Sequence, residues 1–259
     1  MSVIQEKFTE KVGQSLSESL TLSALSWRNS AKSLTDALKN LVFPPVCVSC
    51  KKVGSLLCED CYGRIQWLSE PLCPQCGRIV ADSHSICYVC RKWPLPLSKI
   101  RAATQFVDPI PQIIHNMKYN GYHALAEPLA DLMVKAWPQW QFNIDLVLPV
   151  PLHPDRQKER GYNQSALLTK HMCRRLGLPY NLEAISRPRH TSPQVGLNVI
   201  DRLTNVRGAF RADAAKVTGK NILLIDDVCT TGATMAATAE ALLMAGAKTV
   251  SGYSTARAM

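Results

Sequence analysis

Asn221–Met244 reads NILLIDDVCTTGATMAATAEALLM. Ile222–Ile225 is an apolar run that ends on two carboxylates, Asp226 and Asp227. Thr230, Thr231, Gly232 and Thr234 follow closely, and then an Ala/Leu-rich run with helical spacing. The pattern predicts a buried parallel strand, a tight turn and a helix N-terminus. The unpaired N–H groups and partial positive charge of a helix's first turn make it a natural seat for a dianionic phosphate. The three threonines add hydroxyl donors, and glycine lets the backbone approach closely. Carboxylates pointed at that phosphate would repel it. At the strand end they suit ribose hydroxyls, or a magnesium ion just beyond the phosphate. A sugar phosphate fits this arrangement.

Working outward, 259 residues suffice for one substantial core and a small appendage. No run approaches the ~20 apolar residues that cross a bilayer. Met1–Leu20 carries acids and no continuous apolar core, which does not fit a secretory signal, so the expectation is a cytosolic protein. Between Leu152 and Arg211, eleven Lys/Arg face four Asp/Glu, and this stretch supplies seven of the net charge of +10. Basic excess of this kind suits polyanions, either pyrophosphate groups or a nucleic acid backbone.

Eight of the ten cysteines form four Cys-x-x-Cys pairs: Cys47/Cys50, Cys58/Cys61, Cys73/Cys76 and Cys87/Cys90. In a cytosolic chain this argues for metal before disulfides. Each pair presents two thiolates to one cation, and two pairs complete a tetrahedral zinc site. Eight ligands are enough for two Zn²⁺ ions, in sequential or cross-braced pairing. A segment of this length with so few large apolar side chains needs such cross-links to fold. A Cys₄ set has no open position, so its role is structural or partner-binding. His84 is an alternative ligand, though a surface loop position suits it better.

Residues 1–40 read as an N-terminal helical or disordered extension, 41–95 as the zinc-binding domain, and 100–259 as an α/β domain with a mainly parallel sheet. Trp93–Lys99 (WPLPLSK) reads as a proline-punctuated linker. Arg101–Val107 alternates as a strand does, and Pro109–Tyr119 and Ala124–Trp137 read as helices around an Asn120-Gly121 turn. Lys118, at the end of the first, would reach an anion. Asp145–Pro151 is a second buried strand. Arg156, Arg160, Tyr162, Asn163 and Gln164 are placed on a loop before a helix that ends at Leu176, with Gly177 as its stop. Guanidinium forks on such a loop match phosphate oxygens bidentately. Ala184–Arg187 reads as a short strand, and the basic segment after it has the length and polarity of a lid.

At IDDVCTTGAT the sequence resembles the type I phosphoribosyltransferases. The full arrangement is more specific: an FPPVCVSC opening, the four Cys pairs, HNMKYNGYHALA, LPVPLHPDRQKERGYNQS, and an R-x-R-x-T-x-x-Q segment at Arg187–Gln194. Together these are similar to the ComF/GntX family, from Leu41 to Met259. The resemblance implies a type I phosphoribosyltransferase fold, preceded by a small zinc-ribbon-like domain. It implies that Asp226 and Asp227 act on the ribose of phosphoribosyl pyrophosphate (PRPP), bound with Mg²⁺. Val228, Cys229, Thr230, Thr231, Gly232, Ala233 and Thr234 would hold its 5′-phosphate. Val150 and Pro151 lie in the loop that corresponds to the pyrophosphate loop, with Arg160 and Lys118 as further contacts. Arg187, Arg189 and Gln194 would belong to a lid that excludes water from the reactive centre.

The same resemblance implies a role in competence or DNA use, with single-stranded DNA and a competence helicase as partners. Two readings follow: a phosphoribosyltransferase, and a non-catalytic PRPP or nucleotide sensor that binds DNA or the helicase. A glutamine amidotransferase is not expected. That chemistry needs an N-terminal cysteine exposed after Met removal, and this sequence begins Met-Ser-Val. A response-regulator receiver is excluded as well, because only Glu240 and no Asp follows Asp227.

Overall fold

The computed structural model describes residues 44–82, 84–190 and 205–259. The readings of residues 1–40 and of Gln194 lie outside these. The chain divides into two units, residues 1–47 with 51–58, and residues 48–50 with 59–259.

In the first unit Val46 bridges Val53 antiparallel. The Cys47 N–H donates to Lys52 O at 2.8 Å, and the Lys51 N–H to Cys47 O at 2.9 Å. Lys51 adopts the left-handed φ of 68° that this tight turn needs. The scheme recurs within the second unit, with Cys73 in the place of Cys47. Leu72 bridges Ile79, the Cys73 N–H donates to Arg78 O at 2.7 Å, and the Gly77 N–H to Cys73 O at 3.0 Å. Here glycine is required twice over: φ is 69°, and a Cβ would lie 2.6 Å from Ile100 O. Two five-residue helices, α1 (Glu59–Gly63) and α2 (Tyr88–Lys92), carry Cys61 and Cys90.

The rest of the second unit is built on a four-stranded parallel sheet in the order β1-β6-β5-β2. The strands are β1 (Ile100–Gln105), β2 (Leu146–Pro149), β5 (Asn221–Cys229) and β6 (Thr249–Arg257). Because all four run parallel, their carboxyl ends share one edge, where open α/β sheets bind ligands. Both outer strands are met by irregular segments. Val147 of β2 bridges Tyr180, and on β1 the Leu68 N–H donates to Ala103 O while the Gln105 N–H donates to Gln66 O.

Helices α3 (Ile110–Tyr119), α4 (Ala126–Ala136) and α6 (Gln164–Leu176) each bury an apolar stripe. Asn163 caps α6 by accepting from the Ser165 and Ala166 N–H groups, and Gly177 ends it with φ 66°. Helix α8 (Ala233–Met244) is apolar nearly all round and buries seven side chains, most of them small. That lets it lie close to the sheet, where a Cβ on Gly252 would meet Met235 Sδ at 2.6 Å.

Three elements differ from the sequence reading. β5 does not stop before the acids; it continues through Asp226 and Asp227 to Cys229, paired with β6 as far as Arg257. Arg156 and Arg160 are not on a loop but on helix α5 (Pro154–Arg160), with proline at its start and Gly161 at φ 83° after its end. The short strand read at Ala184–Arg187 is β3 (Ile185–Ser186), which pairs antiparallel with β4 (Arg211–Ala212), and a one-turn helix α7 (Ala214–Val217) follows. Trp93–Lys99 is not a loose linker, since Leu95 and Leu97 are buried. The Ser98 N–H donates to Val250 O, and Leu95 and Leu97 join one hydrophobic cluster with Cys73, Cys76, Cys90 and Ala236. Prolines broke the helical and strand patterns there, but the leucines between them still face inward.

Candidate functional site

The carboxyl ends of β2 and β5 lie side by side, with the Val150 N–H donating to Ile225 O at 2.9 Å. Asp226 and Asp227 follow Ile225 on β5 and are almost entirely buried. Asp226 Oδ1 accepts from Ser165 Oγ and from the Asp227 N–H, both at 2.9 Å. Asp227 Oδ1 accepts from Lys118 Nζ at 2.7 Å. Its Oδ2 is buried with no hydrogen-bond partner among the described residues.

Burial and the adjacent Asp227 push the Asp226 carboxyl up to about 7, against the pull of Lys118 and Ser165. Burial works against the charge on Lys118, but Asp227 outweighs it and the ammonium is held more firmly protonated than usual. The pair thus behaves as a buried dicarboxylate with one ammonium already in place and one carboxylate oxygen left over.

Val228 and Cys229 end β5, Thr230–Gly232 form the turn, and Ala233 and Thr234 open α8. Gly232 holds φ 84°, and the Ala233 N–H donates to Thr231 Oγ1 at 3.3 Å. The turn rests on Arg257 at the end of β6. This arginine is buried, and its Nη1 donates to Cys229 O at 2.7 Å and to Thr230 O. Burial raises the Cys229 thiol, so despite its position near a helix N-terminus it is a poor nucleophile.

Val150 and Pro151 follow β2. The Asn163 side-chain amide donates to Val150 O at 3.1 Å, tying this loop to the start of α6. Arg160 bonds Gln164 and lies 5.5 Å over the Tyr119 ring, beside Lys118 at the end of α3. Tyr162 donates its hydroxyl to Met117 O on the same helix. Next to these is a groove of about 730 Å³, with Leu152, Leu182 and Ile185 on its apolar side and Lys158, Asn163 and Arg187 supplying polarity. Arg187 is half-buried, 5.3 Å over the Phe210 ring. Arg189 donates to Asn205 O and Arg207 O, joining the two ends of the basic segment.

Lys118, Asp226 and Asp227 therefore come together at one point, with the phosphate turn continuing directly from them. Arg187 lines the groove within electrostatic reach of Asp226, while Arg189 belongs to the stem beyond it. Two residues escaped the sequence reading. Ser165 directly follows the first residue of α6 after the Asn163 cap, and its polarity there is the signal for its role on Asp226. Arg257 ends a buried strand, and an arginine in such a strand needs partners.

Within the second unit the sulfurs of Cys73, Cys76, Cys87 and Cys90 gather within 4.8 Å of one another. Tetrahedral Zn–S bonds of ~2.3 Å separate sulfurs by roughly 3.8 Å, and Cys76 and Cys87 stand 3.6 Å apart. The Cys87 N–H points at Cys73 Sγ from 3.5 Å, the outer contact a bound thiolate favours. These two pairs thus share a site, and the donor set fits structural zinc. His84 is exposed, its backbone N–H donates to Asp82, and it is not a member of this set.

Residues 38–91 match the family model of the double zinc ribbon domain, and residues 163–257 that of the phosphoribosyl transferase domain. The DNA utilization protein YhgH of Shigella flexneri is 33% identical over 219 residues, spanning 81% of this chain and 96% of that protein. The chain belongs to the ComF/GntX family. Competence protein F of Haemophilus influenzae is 29% identical over 82% of this chain and 96% of its own length. Competence protein ComFC of Bacillus subtilis is 28% identical over 80% and 86%. In this ComF/GntX chain the zinc ribbon precedes an α/β domain of the type I phosphoribosyltransferase class. No helix among the described residues is long and apolar enough to cross a membrane.

Proposed function

We propose that this protein binds PRPP with Mg²⁺ at the carboxyl end of β5 and transfers its phosphoribosyl group to an acceptor. The observation that carries this reading is the buried Asp226–Asp227 pair running directly into the Thr230–Gly232 turn and the N-terminus of α8. The turn offers N–H and hydroxyl donors to a 5′-phosphate. Asp227 Oδ2, buried and unpartnered among the described residues, suits a ribose hydroxyl or the magnesium that PRPP carries. Magnesium would spread the charge of the departing pyrophosphate. Asp226 and Asp227 would hold the ribose as its ring gains positive character, with Lys118 fixing the Asp227 side chain in place. Val150, Pro151 and Arg160 are assigned to the pyrophosphate, and the Arg187–Arg189 stem with Gln194 to closure over it.

Isothermal calorimetry with PRPP and Mg²⁺, on wild type and Asp227→Ala, tests this. Binding is expected for wild type and lost in the variant. Absence of heat with the wild-type, zinc-loaded protein would remove the reading.

A second reading rests on a different observation. Tyr88, between Cys87 and Cys90, is well exposed, and Lys92 Nζ lies 5.2 Å from its ring and 5.6 Å from that of Trp93. Aromatic faces beside a cation are what single-stranded DNA stacks on. In this reading the protein senses PRPP or a nucleotide without turnover, in the cytoplasm, and engages DNA or a helicase there. DNA binding that falls with salt, survives Asp227→Ala and disappears in Tyr88→Ala would favour it.

A further inference from the structure

Arg257 is 1% exposed at the inner end of β6. A buried guanidinium costs several kcal/mol unless neutralised. Its Nη1 reaches the Cys229 and Thr230 carbonyls and lies 3.2 Å from Cys229 Sγ, while its Nε finds no hydrogen-bond partner among the described residues. Carbonyls orient the group but do not neutralise it. Cys229 is an uncharged thiol, and no carboxylate pairs with the group among the described residues; the charges within its electrostatic reach are Cys76 and Cys90, which share one packed cluster with Cys229. Both belong to the second Cys₄ cluster. Four thiolates around one zinc dication leave a doubly negative centre, the counter-charge such an arginine needs.

A second line joins the same two places. Gln75, inside the second knuckle, donates to Leu95 O at 2.9 Å and accepts from the Ile100 N–H at 2.7 Å. Leu95 and Ile100 form the floor under Gly232, where a Cβ would lie 3.2 and 3.3 Å from them. The Cys73–Cys76 turn and the Gly232 turn are thus supported by the same two residues, one through their backbone and the other through their side chains.

We propose that the zinc–thiolate cluster of Cys73, Cys76, Cys87 and Cys90 is the counter-ion that fixes Arg257 beneath the Cys229–Gly232 turn, making Arg257 a positioning residue for the anion site. The zinc never meets the ligand, yet the shape of the turn depends on it. The ligand named here rests on the PRPP reading; the coupling of metal to turn does not.

The test uses the full chain, ¹⁵N-labelled and without ligand. Chelator removal of zinc, quantified by metal analysis, is expected to shift the Cys229–Gly232 amide resonances. Arg257→Gln is expected to keep its zinc, to show displaced resonances at the same amides, and to bind PRPP about tenfold more weakly. In the cadmium-substituted protein, Arg257→Lys is expected to move one ¹¹³Cd resonance and leave the other, a signature that general loosening would not give. Unmoved turn amides in zinc-retaining Arg257→Gln, or an unmoved ¹¹³Cd spectrum in Arg257→Lys, overturns the proposal. If wild type fails to bind PRPP, the functional reading falls while the amide and ¹¹³Cd arms still decide this one.

Discussion

Lys118 Nζ lies 2.7 Å from Asp227 Oδ1, joining the last turn of α3 to the end of a strand 109 residues later. The carboxylate side chain is 3% exposed and the ammonium 21%. An ion pair of this kind contributes little net stability while intact, but losing one partner strands the other in a low-dielectric setting. Ligand binding must therefore accommodate an ammonium already seated on the acidic pair.

Lys118→Ala is accordingly expected to destabilise the fold by about 2 kcal/mol, discounted for the partial exposure of the ammonium. The carboxylate has then lost the ammonium that orients it, so ligand affinity falls as well. Thermal denaturation and calorimetry at pH 6 and pH 8 measure the two effects. A variant as stable as wild type, with unchanged affinity at both pH values, would contradict the role given to this pair.

Asp226, pushed up to about 7, predicts a pH dependence with a definite sign. Its folded value lies above the ordinary carboxylate value of about 3.9, so the folded chain holds an extra proton between those two points. The stability this group contributes is complete below about pH 4 and is lost as pH rises toward 7. Ligand binding runs the other way, because a ribose or a cation prefers the carboxylate. Affinity should climb by up to about tenfold per pH unit below 7 and level off above it. Calorimetry at pH 6 in buffers of different ionisation enthalpy should detect proton release; none, with affinity flat from pH 5.5 to 8, refutes the assignment.

Gly232→Ala places a Cβ at φ 84° within 3.2 Å of Leu95 and 3.3 Å of Ile100. Left-handed strain and this contact should together cost about 1–3 kcal/mol. The damage falls on the anion-binding turn, so PRPP affinity should drop even at temperatures where the fold survives. Equal affinity in wild type and variant would show that the turn is not the phosphate seat.

Metal content gives a simpler check. Two zinc ions per chain are expected from two Cys₄ sets, and Cys73→Ser should lower the measured stoichiometry toward one. A chain purified with two zinc ions in spite of that substitution would disprove the ligand assignment.

The strand–turn–helix at Asn221–Met244 was legible because apolar run, acids and turn residues sit together in sequence, and the Cys spacing is equally local. Helix α5 carried its own signal in Pro154 and Gly161, but its charged residues hid it. Lys118–Asp227 and Ser165–Asp226 were out of reach for another reason. Each joins residues far apart in the chain, and nothing in the sequence around Lys118 tells a solvated helix-end lysine from one folded onto a carboxylate. Arg257 was hidden in the same way, since its partner Cys229 lies 28 positions upstream.

Tyr180 beside β2 and residues 66–68 beside β1 leave the sheet without a vacant hydrogen-bonding margin at mid-strand. Growth by strand addition, whether by self-association or by an extended peptide from another protein, has no template there. A macromolecule recruited along these two edges is gripped by side chains, so the recognition code there is written in surface chemistry and can be rewritten one residue at a time.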